Sequence, residues 1–324
     1  MRVVAQNASP DRPLPADGRI ELAFDRYLNP ASITRQTFQT TFADPKIAYD
    51  PIARIVTITP AGPLATDLTY AVLIRSPSGP NDVDGLRAVD GATIDPLYAV
   101  IEFPVIAPAG GLPAPPPVDF CRDVLPIFAS KCTTGPCHGS PPQGPTGATA
   151  AAGLSLDSPQ SITATAVGRV AQGANTGPRA SAQPAGAAFG VDMPIIDPGT
   201  GAGGNPANSW LIYKLLMAVP PAQSSTPGGS ACNGAAAPDA GPLHLLAPPA
   251  LTDPVHDPAR SSLRDFVLGR EMPFPSNPAQ PLEQASAPLT LGELELITRW
   301  IAQDPRAGTA SPGHPLLPAR CCSP

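Results

Sequence analysis

Apolar and polar residues alternate with period two in a series of short runs between Val3 and Val105. Arg19-Ile20-Glu21-Leu22-Ala23-Phe24 places every second side chain on one apolar face, as a half-buried strand requires. Arg54-Ile55-Val56-Thr57-Ile58-Thr59 repeats the pattern after an Asp50-Pro51 turn signal, and Tyr70–Arg75 and Tyr98–Phe103 continue it. Asp17-Gly18, Asp84-Gly85 and Asp90-Gly91 separate the runs, because Asp-Gly pairs suit the backbone of tight turns. About seven short strands in about 100 residues predict an all-β sandwich.

The period then changes. Ile106 to Pro117 reads Ile-Ala-Pro-Ala-Gly-Gly-Leu-Pro-Ala-Pro-Pro-Pro, which can neither continue a sheet nor start a helix and is expected to be an extended linker. Beyond it, Phe120, Val124, Ile127 and Phe128 recur at helical spacing behind Asp119 as N-cap, with Pro126 either kinking the helix or delaying its start. Near the other end, Thr290 and Glu293 have capping-box spacing, and Leu294, Ile297 and Ile301 form one stripe beside Trp300. Asp304-Pro305 stops that run. Asn208-Ser209 reads as the cap of a further helix through Leu215. The expected organisation is a β-sandwich over 1–105, a linker over 106–117, and a mainly α domain with long irregular loops over 118–324.

Composition agrees with that division. The 324 residues include 47 prolines, with 14% charged and 5% aromatic side chains, which favours short strands and irregular connections. A net charge of −6 without a Lys/Arg run gives no reason to expect a nucleic-acid partner. No window of about 18 apolar residues predicts a transmembrane segment. Met1 to Gln6 has no apolar leader region, yet six cysteines, two adjacent at Cys321-Cys322, point to an oxidising compartment. An export signal or lipoprotein leader is therefore expected to be missing from this chain, whose setting would be periplasmic or cell-surface.

The candidate chemistry gathers at Cys132…Cys137-His138-Gly139. Two cysteines followed at once by a histidine form the arrangement that tethers a c-type haem, although four residues, Thr133 to Pro136, stand where two are usual. The same residues also fit a disulfide pair beside an incidental histidine. A zinc site would need a second Cys/His pair at finger spacing, which the chain lacks. No Ser/His/Asp order, HExxH, P-loop or dinucleotide-binding glycine pattern is present. Asp25, Asp82 and Asp84 fit calcium ligation on paper, but turn carboxylates are the simpler reading.

Two family resemblances rest on these pieces. Pro15-Ala16-Asp17-Gly18 leading into Ile20-Leu22-Phe24-Asp25, then Leu28-Asn29-Pro30-Ala31-Ser32-Ile33, Leu64, Leu68-Thr69-Tyr70 and Asp84-Gly85, resemble a bacterial Ig-like (SbsA-type) domain. That resemblance implies an exported, non-catalytic module with a possible surface ligand. Val124-Leu125-Pro126-Ile127-Phe128, Cys132/Cys137-His138-Gly139, Met272-Pro273 and Leu289-Thr290…Trp300-Ile301 resemble a class I c-type cytochrome of the large-loop bacterial kind. Gly153-Leu154-Ser155-Leu156, and Pro198-Gly199 followed by Asn208–Leu215, fit the same family. It implies one covalent haem c on Cys132 and Cys137, with His138 and Met272 as axial metal ligands and one-electron transfer to a redox partner protein, of unknown identity.

Several alternatives stay open at this stage. Met193, Met217, His244 and His256 compete with Met272 for the second ligand position. A catalytic haem would need an open distal face, which Met272 would close. A haem-free, disulfide-stabilised surface protein is the other reading of the whole chain. Cys121, Cys232, Cys321 and Cys322 allow three connectivities, with Cys321 and Cys322 each expected to reach back to Cys121 or Cys232.

Overall fold

Strand after strand in the first hundred residues follows its apolar period. In a computed structural model of the chain, the described residues are 1–79, 82–110, 117–133, 137–139, 150–172, 188–200, 203–220, 244–246, 257–274 and 287–303. The N-terminal part is mainly β-sheet and the C-terminal part carries several short helices. Two compact units emerge, one of Met1–Pro115, Asn175–Val191 and Gly241–Leu268, the other of Pro116–Ala174, Asp192–Ala240 and Gly269–Pro324. The reading of 118–324 as one domain thus differs from this grouping, which places Gly241–Leu268 with the strands.

In the first unit, β1 (Val3–Gln6), β3 (Ile20–Phe24), β6 (Ile55–Thr59) and β5 (Lys46–Asp50) form an antiparallel sheet in the order β1-β3-β6-β5. A second sheet has the order β2-β8-β7-β4, from β2 (Leu14–Pro15), β8 (Val100–Ile106), β7 (Thr69–Ile74) and β4 (Phe38–Thr40). Here only β2 and β8 run parallel. The expected strand at Tyr98–Phe103 starts later, because Asp95 caps a 3₁₀ turn over Pro96–Tyr98. Ile20, Leu22 and Phe24 are fully buried, as are Phe38, Val72 and Phe103 in the other sheet. Each such side chain contributes about 1.5–3 kcal/mol by leaving water.

Turn chemistry explains the connections. Asp50 Oδ1 accepts the Ile52 N–H at 2.8 Å, and Arg54 completes the β5–β6 turn at φ 57°. Asp82 accepts from Ser78 N and Oγ and pairs with Arg75, as does Asp84. Asp25 pairs with Arg2. These carboxylates do turn and ion-pair work, and among the described residues no group of three or more His, Cys, Asp or Glu could hold a metal ion. Asp17 accepts from the backbone of Ala109 and Gly110, holding the start of the Pro-rich linker beside its own turn.

β3 departs from the half-buried pattern. Glu21 and Ala23, on the face expected to meet solvent, are as buried as Leu22. The covering segment is His244–Leu246. Leu246 packs against Ala23, Ala53 and Ile55, and Glu21 Oε2 accepts the N–H groups of Leu245 and Leu246 at 2.7 and 3.0 Å. Further along, α4 (Pro258–Leu263) is capped by Asp257, whose Oδ1 also meets buried Arg54 at 3.2 Å.

The second unit is organised by two helical segments. Asp119 Oδ1 caps a π-helical turn over Phe120–Val124, accepting from Arg122 N, and the chain then tightens into α1 (Leu125–Lys131). The wider first turn lets Pro126 fall in the opening turn of α1, where a missing N–H costs nothing. α5 (Leu291–Ala302) has the expected capping box in full, Thr290 Oγ1 accepting from Glu293 N and Glu293 Oε2 from Thr290 N. The stop signal Asp304-Pro305 lies outside the described residues. Val118 N bonds Gln303 Oε1 at one end, and Lys131 Nζ bonds the Pro288 carbonyl at the other, so the two segments run antiparallel. Between them Trp300, fully buried, meets Phe120 at 5.0 Å and Phe128 at 6.2 Å between ring centroids.

Among the described residues, this unit also holds the α-helices α2 (Pro159–Thr165) and α3 (Trp210–Leu216). Ser209 occupies the N-cap position of α3 but makes no capping bond, correcting the sequence reading. Its hydroxyl instead accepts from Asp197 N and donates to the Asn205 carbonyl. The loop carrying Asn205 is pressed onto the end of α5. A Cβ on Gly204 would stand 2.5 Å from the Ile301 carbonyl and 2.6 Å from that of Asp197. Both neighbours are backbone and cannot swing away, so Gly204→Ala is expected to lower stability by about 1–3 kcal/mol. A thermal melt against wild type checks it, and an unchanged midpoint would show that the loop can lift off α5.

Candidate functional site

α1 delivers Cys132 at its C-cap. The N–H groups of Cys132 and Thr133 both bond the Phe128 carbonyl, at 2.8 and 3.0 Å, so the helix ends in a tight shared acceptor. Thr134 to Pro136, including the Gly135-Pro136 pair of the long spacer, lie outside the described residues. The chain returns at Cys137, and His138 N donates to the Cys132 carbonyl at 2.9 Å, which closes the motif on itself. Gly139 is needed there, since a Cβ would lie 2.7 Å from the Thr133 carbonyl.

A second segment is laced onto this loop. Ala151 N bonds the Cys137 carbonyl and Leu156 N bonds the His138 carbonyl, each at 2.7 Å. Between them, His138 Nδ1 faces the Leu154 carbonyl at 3.2 Å. Placing the proton on Nδ1 for that contact makes Nε2 the lone-pair nitrogen of a neutral ring. Such a backbone bond to the far nitrogen is how proteins orient a metal-binding imidazole. Burial pushes the His138 pKa down, against the pull of backbone contacts at Leu154 and Ala151, and the Lys214 charge pushes it further down. The ring is therefore held neutral, the form a metal requires.

Both cysteines are unbridged, Cys132 buried and Cys137 half-buried. Burial first, then the Glu293 carboxylate and Cys137, raise the Cys132 pKa to about 12. It is a protonated thiol at neutral pH, unlike the exposed, low-pKa thiolate of a redox-active cysteine. Cys121 differs, being disulfide-bonded. Its expected partners Cys321 and Cys322 lie outside the described residues, as does Cys232.

Met272 belongs to the same unit and meets α3. Its N–H donates to the Lys214 carbonyl at 3.2 Å, while the Lys214 ammonium group is the charged neighbour of His138. Lys214 thus has the Met272 loop at its backbone and His138 within reach of its charge. The Lys214 side chain donates to the Arg270 carbonyl, and burial lowers its pKa to about 8. Sequence reasoning missed Lys214 and the acceptor role of Leu154, although Gly153-Leu154-Ser155-Leu156 was a matching piece.

The competitors for the Met272 role have other surroundings. Met193 and Met217 are buried at 2% exposure each, and Met217 ends α3. His244 belongs to the first unit, its Nε2 2.8 Å from Asp50 Oδ2 and its Nδ1 3.6 Å from Glu21 Oε1. His256 lies outside the described residues. Among the described residues no helix is long and apolar enough to cross a membrane.

No family model matches the chain, and no curated protein matches it. Among solved structures, the crystal structure of the S-layer protein rSbsC is similar to 38% of this chain at 17% identity, with a TM-score of 0.23. The match spans 15% of that chain. A superposition this loose assigns neither fold nor function. The β-sheets of the first unit are consistent with an Ig-like domain.

Proposed function

We propose that the second unit is a class I c-type cytochrome domain and the first an Ig-like sandwich, together an exported monohaem electron carrier rather than an enzyme. The observation that carries this reading is the bond from His138 Nδ1 to the Leu154 carbonyl, beside two unbridged cysteines. An incidental histidine next to a disulfide has no need of a fixed tautomer, whereas an iron ligand does.

The residues present fit a haem. Cys132 and Cys137 would tether it, and His138 and Met272 would hold the iron. Bound there, the haem supplies reversible one-electron chemistry. The chain's own contribution is positional. Phe128 and Trp300 seat α1, the Phe128 carbonyl fixes the turn at Cys132, and Leu154 and Leu156 aim His138. The Lys214 carbonyl anchors the Met272 loop. A thioether sulfur is a soft ligand that favours the reduced iron, raising the potential. Periplasmic or cell-surface placement and a redox partner protein follow from this reading.

Intact mass and an absorption spectrum of protein made with a haem-attachment system test it. The expected result is one covalent haem, absent from Cys132→Ala/Cys137→Ala. A chain of bare mass, or a double variant that still carries covalent haem, overturns the proposal.

A second reading, a haem-free cell-surface binding or structural protein, draws on the Cys121 disulfide and the mainly β N-terminal part. The same mass measurement separates the two, since three disulfides using all six cysteines would establish the second.

A further inference from the structure

The outer face of the first sheet carries two acidic side chains that the sandwich does not itself need. Glu21 on β3 and Asp50 on β5 stand on the same side of the sheet as Ala23 and Ile55, as the register Ala23↔Ile55↔Asp50 shows. Glu21 is fully buried, and a buried carboxylate is costly unless it is paired and hydrogen-bonded. Arg19 meets one of its oxygens at 2.8 Å. The remaining partners come from the segment some two hundred residues later, His244–Leu246.

His244 lies between the two carboxylates, Nε2 at 2.8 Å from Asp50 Oδ2 and Nδ1 at 3.6 Å from Glu21 Oε1, with its side chain 10% exposed. Leu245 and Leu246 give their N–H groups to the other Glu21 oxygen, and Leu246 closes over Ala23, Ala53 and Ile55. With the imidazole protonated, Arg19, Glu21, Asp50 and His244 sum to zero charge. With it neutral, one negative charge is left in a buried cluster.

We propose that His244 is a proton-operated lock holding the His244–Leu246 segment on the outer face of the first sheet. The face acts as an internal receptor for an imidazolium followed by two leucines. Docking is tight while the ring is charged and loosens when it is not. A neutral ring keeps one hydrogen bond to Asp50 but loses its charge against both carboxylates.

Electrostatics gives the direction and size. Burial pushes the His244 pKa down, but the hydrogen bond to Asp50 and the negative charges of Asp50 and Glu21 outweigh it and raise the value from 6.5 to about 9. Glu21 is likewise pushed up by burial, but the nearby His244 ring, the Leu246 N–H and the Arg19 charge leave it below its ordinary value. For a group raised on docking, the stabilisation is complete below pH 6.5 and is lost as pH rises through about 9. The docking constant then falls by up to about 300-fold between pH 6 and pH 10.

Amide hydrogen exchange on the full chain, read residue by residue with millisecond labelling, tests this. At pH 6, Leu245 and Leu246 in His244→Gln are expected to exchange up to about 300-fold faster than in wild type. Amides of β3 and β6 serve as the unchanged control. By pH 10 the difference should close to a few-fold. Equal exchange at pH 6, or a constant difference up to pH 10, overturns the proposal. If the variant does not fold, the wild-type series decides alone. Corrected for base-catalysed exchange, the opening of Leu245 and Leu246 rises through about pH 9 if the lock exists, and a flat series overturns it.

Discussion

Trp300→Ala is expected to cost the second unit about 4 kcal/mol, the upper range for emptying a core site. Trp300 is fully buried and touches both Phe120 and Phe128, at 5.0 and 6.2 Å between ring centroids. Removing it opens a cavity between α5 and the segment that leads into Cys132. The flanking rings are held on their own helix and cannot close the gap without shifting α1. A loss of this size is a large fraction of the stability of an ordinary domain, which is about 5–15 kcal/mol. A drop of roughly 10 °C or more in melting temperature is expected, at about 2–4 °C per kcal/mol for a unit of this size. Calorimetry of the full chain should show the transition of one unit moving while the other stays. A loss below about 1 kcal/mol would show that the aromatic cluster is not the core that holds α1 to α5.

Lys131→Met is expected to cost about 3 kcal/mol, by leaving a buried carboxylate without its cation. Lys131 is 5% exposed, its Nζ 2.9 Å from the Pro288 carbonyl and 3.4 Å from Glu293 Oε2. Methionine keeps the apolar stem and fills most of the space, so packing alone does not account for the loss. What disappears is the charge that compensates Glu293 and the donor for Pro288, a carbonyl just before the N-cap of α5. A double-mutant cycle with Glu293→Gln isolates the pair. The double variant should be less destabilised than the sum of the single ones, whereas strict additivity would show that Lys131 and Glu293 do not interact. Since Lys131 directly precedes Cys132, the single variant is also expected to lower the yield of covalent haem under the proposed function.

Much of the local structure was legible in residue patterns. Ile20–Phe24 and Ile55–Thr59 announce themselves because period-two alternation and Asp-containing turns are local properties of the chain. The capping box at Thr290 and Glu293 is legible for the same reason, three residues being within one helical turn. Pro126 was harder. Its ambiguity was settled by a π-helical turn before α1, which Asp119 caps and whose Phe120 packs against Trp300 of α5. Ser209 shows the opposite error. A hydroxyl at an N-cap normally serves its own helix, but Asp197 N and the Asn205 carbonyl compete for it across a loop.

The candidate site divides along the same line. Cys132, Cys137, His138 and Met272 are named by residue type and order alone, because the proposed haem would take two cysteines as tethers and a histidine and a methionine as iron ligands. The amino-acid sequence by itself determined which stretches take β and helical periods, where the Pro-rich break falls, and which side chains the proposed haem would use. Tertiary structure decided what surrounds them. It placed Leu154 opposite His138 Nδ1, brought the Lys214 charge near His138 and its carbonyl to Met272 N, and laid His244–Leu246 over Glu21 on a face that alternation had left to solvent. The physical reason is separation along the chain. Propensity and periodicity act over a few residues, whereas the partner of a buried polar atom is found wherever folding brings one within about 3 Å.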